Sequence, residues 1–139
     1  MEVIVDTCIR LDIADGKLSV SEVDSKIKGA NIYCSVITLG ELEFGISVCD
    51  DPQTGAEKQD FFNRISTLPI LTLAPTTATI FGSFAVTMKR RQKGNTGANP
   101  RKRYHDLWIA AQAVEGGFAL LTDNKSDFKN LPELKLLML

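Results

Sequence analysis

The chain has 139 residues, which fits one domain, residues 1–139, and 44% of them are hydrophobic, enough for a packed core and against wholesale disorder. Formal net charge is -1, so overall charge does not imply a nucleic-acid partner, and such a partner must be argued from local clustering. No stretch approaches the ~20 apolar residues of a membrane span, and the acidic start MEVIVDT has too short an apolar run for a secretory leader. The expectation is a soluble cytoplasmic protein without a membrane partner.

Along the chain, Val3-Ile4-Val5 is a β-branched run suited to a buried strand that ends at Asp6. A short helix is expected from Thr7 to about Ala14, and a second from Ser21 to Lys28, stopped at Gly29. Ile32–Val36 reads as a strand. Thr38 followed by Glu41 matches the capping box, in which a hydroxyl and a carboxylate three residues later bond reciprocally to the first turn. Asp50–Gly55 reads as a loop, Glu57–Thr67 as a helix and Ile70–Leu73 as a strand before Pro75. Thr76 to about Arg91 places Ile80, Phe81, Phe84 and Met88 on one helical stripe. Lys93–Arg103 is a loop. Asp106–Glu115 is a helix ended by Gly116-Gly117, Phe118–Thr122 a strand and Lys135–Leu139 a last strand. Strands alternating with helices predict an α/β domain with a mostly parallel sheet.

In such folds sites form outside the carboxyl ends of the strands. Asp6 follows one strand, and Asp123, Asn124 and Asp127 follow another. Asp106 starts a helix, and Glu41 lies one turn into its own. Taken singly, each acid has a plain structural explanation as a turn residue, a cap or a helix-dipole partner. Together they form an oxygen-rich set of the kind a hard divalent cation takes, completed by waters and substrate phosphates. That pattern points to phosphodiester chemistry by metal-activated water, with a free carboxylate as general base. There is no P-loop and no GxGxxG fingerprint, and one histidine, His105, would have to serve any Ser-His or Cys-His arrangement. A phosphoacceptor module is disfavoured, because Asp6 has no adjacent acid and Ile70–Leu73 leads to Pro75. Cys8, Cys34 and Cys49 lack metal-ligand spacing and are read as reduced thiols, with Cys8 packed as a small hydrophobe.

VDT, SVITLGELEFG, HDLWIAAQA and GFALLTDNKSDF occur in this order, and together they resemble the motifs of the PIN-domain ribonucleases, within them the VapC-like toxins of toxin-antitoxin modules. The resemblance runs from Met1 to about Leu136. It implies a PIN-like three-layer sandwich, a central parallel sheet flanked by helices, with an acidic pocket for Mg²⁺ or Mn²⁺. It implies catalytic roles for Asp6, Glu41, Asp106 and Asp127, and a metal-binding set of Asp6, Glu41, Asp106, Asn124 and Asp127. Asp123 is the alternative to Asn124, and Thr7 and Thr122 support the pocket. The activity implied is a metal-dependent endoribonuclease acting as a toxin, with a small cognate antitoxin and a homodimeric state. A PIN-like module that binds RNA or a partner without cutting is the other reading, motivated by Asn124 standing where an acid is common.

Residues 88–105, MKRRQKGNTGANPRKRYH, hold Lys89, Arg90, Arg91, Lys93, Arg101, Lys102 and Arg103, seven of the 16 Lys and Arg, against 17 acids in the chain. This basic stretch leads into Asp106. Arg90, Arg91, Lys93, Arg101, Lys102 and Arg103 are therefore candidates for RNA contact, with Tyr104 as an aromatic platform. Trp108 and Ile109 are expected in the core. Apolar positions around Phe81 and Phe44 exceed what a small core needs, and could serve dimer or antitoxin contacts.

Overall fold

The computed structural model describes residues 1–91 and 103–139. The expected loop at Lys93–Arg103 lies outside them except for Arg103. Five strands, β1 (Glu2–Val5), β2 (Asn31–Ser35), β3 (Ile70–Leu71), β4 (Ala119–Thr122) and β5 (Lys135–Met138), form one sheet in the order β3-β2-β1-β4-β5. Every pairing is parallel, with Val3 opposite both Ile32 and Ala119. The helices are α1 (Thr7–Ala14), α2 (Val20–Lys26), α3 (Val36–Ser47), α4 (Pro52–Ile65), α5 (Pro75–Arg91), α6 (Tyr104–Gly116) and α7 (Lys125–Phe128).

The period-2 alternation of β1 divides its side chains between two layers. Ile4 packs with Phe84, Met88, Leu107, Ile109 and Leu120 beneath α5 and α6, while Val3 and Val5 pack with Ile9, Val23, Ile27 and Leu121 beneath α1 and α2. A third cluster, Cys34, Leu42, Phe61 and Ile65, joins α3 and α4 to β2. Burying both faces is what lets β1 and β4 read as continuous apolar runs, each full burial contributing about 1.5–3 kcal/mol. The three-layer α/β sandwich expected from the sequence is therefore present, with a sheet that is wholly rather than mostly parallel.

The boundaries depart from the sequence reading where capping chemistry was missed. Helix α2 starts at Val20 rather than Ser21, capped by Ser19: its hydroxyl accepts from the Glu22 amide at 3.2 Å and the Glu22 carboxylate accepts from the Ser19 amide at 2.9 Å, a full capping box. Asp51 caps α4 by accepting from the Thr54 amide at 2.9 Å, with Pro52 preset for the first turn, so the segment read as a loop is already helical. Ser35, not Thr38, caps α3, its hydroxyl accepting from the Ile37 amide at 3.1 Å. The Thr38–Glu41 capping box is thereby excluded. Helix α7 was not anticipated, being a single turn. Helix α6 ends as expected, with Gly117 left-handed at φ 72°, where a side chain would be strained.

Candidate metal centre

Strand order reverses at β1: the chain builds β2 and β3 outward on one side of it, then crosses to β4 and β5 on the other, and a crevice opens outside the carboxyl ends of the strands at such a point. Asp6 enters it directly. Its amide donates to the Leu121 carbonyl at 2.9 Å, fixing it to the end of β4, and its backbone occupies the position before α1. The side chain makes no capping bond to that helix, so the cap explanation does not account for it. Thr122 donates to Asp6 Oδ2 at 2.8 Å, and Oδ1 is buried with no partner at all. Asp6 is 1% exposed. Burial pushes its carboxyl up from 3.8 to about 7, and the charges of Asp106 and Asp123 push the same way, while the Thr122 hydroxyl opposes them.

Asp106 stands in the first turn of α6, half-buried, and its carboxyl is raised by burial against the opposing charges of Arg103 and His105. Glu41, half-buried on α3, is likewise raised by burial, with His105 lowering it and Asp106 raising it. His105 Nδ1 lies 3.1 Å from Glu41 Oε1, so the histidine of the first α6 turn meets α3 rather than standing alone. Partial desolvation, the larger cause, and the charges of Asp6, Asp106, Asp123 and Glu41, which all act on Cys8, push its thiol up. Cys8 is exposed, which corrects its assignment to helix packing; Cys34 is the buried thiol.

After β4 the structure separates residues that the sequence left as alternatives. Asp123 is the carboxylate whose charge reaches Asp6. Asn124 turns instead to Asp127, donating its amide to that carboxylate and accepting from the Ser126 hydroxyl at 3.0 Å. Asp127 also pairs with Arg103. Thr122 links the two groups, since its hydroxyl accepts from the Asn124 backbone N–H at 3.0 Å while donating to Asp6. The Thr7 hydroxyl, fully buried, shares a 2.8 Å bond with that of Thr38, tying the starts of α1 and α3 together. Thr38 and the Glu41–His105 contact were missed from sequence because the apparent capping box had already explained them.

Of the basic candidates, Arg90 is exposed at the end of α5. Arg91 donates to the Lys129 carbonyl at 2.8 Å and so bridges α5 to the end of α7. Lys93, Arg101 and Lys102 lie outside the described residues. Tyr104 meets Phe81 edge-on, and Trp108 stacks on Phe81 at 4.1 Å, so Trp108 is half-buried at the rim of the core whereas Ile109 is inside it.

The donor set is oxygen throughout, it concentrates like charge, and it contains a buried carboxylate oxygen with nothing to bond, all of which fit a hard divalent cation. Among the described residues no group of three or more His, Cys, Asp or Glu side chains is already drawn together closely enough to hold a metal ion. Mg²⁺ keeps several waters and shares its sphere with substrate phosphates, so one or two of these carboxylates would suffice as its protein ligands. Among the described residues no helix is long and apolar enough to cross a membrane.

Residues 3–134 match the family model of the PIN domain. The chain is 30% identical over 137 residues to a protein named Ribonuclease VapC from Rickettsia bellii, covering 99% of this chain and 96% of that one. It is also 30% identical over 109 residues to Ribonuclease VapC2 from Rickettsia felis, covering 78% and 75%. Similar solved structures include VapBC2 from Rickettsia felis bound to a DNA fragment from its promoter, with TM-score 0.74, 26% identity and coverage of 100% and 99%. DNA-bound VapBC from Salmonella typhimurium shares the fold, with TM-score 0.75, 22% identity and coverage of 99% and 98%. With its matched motifs on the strand ends and helix starts that surround one acidic crevice, the chain belongs to the PIN domain family.

Proposed function

We propose that the protein is a metal-dependent endoribonuclease, the toxin of a VapBC-type toxin-antitoxin pair. The observation that carries this reading is Asp6: buried, partnerless at Oδ1, and under the charges of Asp106 and Asp123 at the sheet's switch point. End-to-end similarity to proteins named Ribonuclease VapC and to VapBC structures supports the substrate class and the antitoxin partner. Mg²⁺ or Mn²⁺ is the proposed cofactor, and a homodimer the proposed state.

In this reading Asp6, Asp106 and Asp123 are the residues that would hold the cation, with Glu41 as a nearby carboxylate. A bound Mg²⁺ or Mn²⁺ supplies Lewis acidity toward a phosphodiester and the water that attacks it. Thr122 orients Asp6 through Oδ2 and leaves Oδ1 directed to the site. Glu41, its proton affinity raised by burial, accepts the proton of the attacking water, and His105 on its Oε1 holds that carboxylate in place. Asp127 and Asn124 act one step back: Asp127 fixes Arg103 beside Asp106, where the guanidinium can meet a phosphate.

The test is cleavage of a mixed RNA pool by purified, antitoxin-free protein in Mg²⁺, in Mn²⁺ and in EDTA, beside Asp6→Asn. The expected result is product only with metal and only from the unmutated protein. Cleavage retained in folded Asp6→Asn overturns the mechanism, and RNA binding without metal-dependent product would favour a non-cutting module.

A further inference from the structure

On the side of the sheet covered by α1, α2 and α4, the fold buries an arginine. Arg10 is 5% exposed, its Nε has no hydrogen-bond partner, and its one bond is a long one, Nη2 to the Tyr33 carbonyl at 3.5 Å. Among the described residues no carboxylate pairs with it. A guanidinium keeps its charge in proteins and seeks bidentate oxygen acceptors, so a buried one with spare donors is costly to maintain. It is surrounded by apolar groups and the Cys34 thiol, and burial works against its charged state.

Arg10 also lines a cavity of about 200 Å³. Val5, Val23, Ile27, Ile32 and Ile65 supply apolar walls, and Arg64 and Asp24 are the other charged residues on it. Two guanidiniums against one exposed carboxylate leave the lining with an excess of positive charge. The volume is below the range of drug-sized ligand sites and suits a single short chain. The dominant chemistry is thus an apolar slot with a desolvated cation in its wall.

We propose that this cavity is a binding site for a carboxylate carried on a short apolar chain, with Arg10 as its counter-ion. The site lies behind α1, whose other end carries Asp6, and it is independent of the reaction assigned to the acidic crevice. The chemistry is met equally by a free aliphatic carboxylate or by an acidic side chain on an apolar peptide segment.

Hexanoate is the probe, with hexanamide as its neutral counterpart, each titrated into the full-length protein and followed by methyl NMR at Val23, Ile27, Ile32 and Ile65. The expected result is a saturable hexanoate response with Kd of about 1 mM or tighter, at least about tenfold weaker for hexanamide. Arg10→Met, close in length and free of the buried charge, should erase that preference, and Arg10→Lys should keep part of it. A second arm compares acetyl-Leu-Glu-Leu-amide with its Gln analogue. Stronger binding of hexanoate identifies a free carboxylate as the occupant; stronger binding of the Glu peptide identifies a polypeptide side chain. Equal binding of hexanoate and hexanamide overturns the proposal, as does a folded Arg10→Met that responds like wild type. Absence of any response at the four methyl-bearing residues overturns it without recourse to a variant.

Discussion

At Asp6 the fold encloses a carboxylate with one oxygen bonded to Thr122 and the other bonded to nothing. Burial raises its folded pKa from 3.8 to about 7, so between those values the folded protein holds a proton that the unfolded chain has released. By linkage, the metal-free protein loses stability as pH rises from about 4 to about 7, by an amount on the order of 4 kcal/mol for a shift of that size. Glu41 and Asp106, also raised, add to the same slope. In EDTA, thermal melts should therefore show a higher Tm at pH 5 than at pH 7.5, and Asp6→Asn should flatten much of the difference. A variant whose pH dependence matches wild type would show that Asp6 is not its source. Thr122→Val removes the hydroxyl that serves both Asp6 and the Asn124 backbone N–H. It should cost about 1–3 kcal/mol in chemical denaturation and lower metal-dependent cleavage together with it.

The α3 helix separates a residue that holds the fold from one that only occupies it. Ser35 is buried, caps the helix through the Ile37 amide and donates to Gln112 Oε1 at 2.5 Å, while the Gln112 amide donates to the Leu71 carbonyl at 3.0 Å. This chain ties β2, α3, α6 and β3 together. Ser35→Ala should cost about 1–3 kcal/mol, from the lost cap and an unpaired Gln112 acceptor. Glu41, which the sequence pattern presents as a capping partner, makes no cap bond in the fold, so Glu41→Gln should change stability by less than about 0.5 kcal/mol while cleavage falls by about 10²-fold or more. Urea denaturation and cleavage assays on the two variants check both halves, and strong destabilisation by Glu41→Gln would restore the capping reading. The error has a physical source. Ser35 and Thr38 are both hydroxyl residues before the same apolar run, and only the sharp exit of β2 decides which one caps. The strands were legible because doubly buried β-strands must be apolar throughout, as in Val3–Val5 and Ala119–Leu121. The places of Asp6 after β1 and of Asp106 in the first turn of α6 were legible because that strand and the α6 stripe have clear ends. That Asn124 turns to Asp127 while the charge of Asp123 reaches Asp6 was not legible, because it depends on how a four-residue helix follows β4.

Across the whole molecule, an acidic crevice stands beside the start of α6, and seven of the 16 Lys and Arg fall within residues 88–105, the part of the sequence that leads into that helix. The composition sets this asymmetry, but the fold decides which arginines are free to use it. Arg103 is held beside Asp106 by its pair with Asp127, and Arg91 spans from α5 to the Lys129 carbonyl, whereas Arg90 is exposed with no such tie among the described residues. A phosphate contact reveals itself through counterion release, with each contact to a single strand contributing about 0.7 to the slope of log K against log salt. The inactive Asp6→Asn protein allows binding to be measured without cleavage. In that background Arg90→Ala should weaken RNA binding and reduce the salt slope by about 0.7, with the melting temperature unchanged. Arg91→Ala should instead lower the melting temperature, because the bridge to α7 is lost, with a smaller change in slope. Salt titrations by fluorescence anisotropy, paired with thermal melts, separate the two roles. An Arg90→Ala protein that keeps the full slope would move the RNA path away from the end of α5.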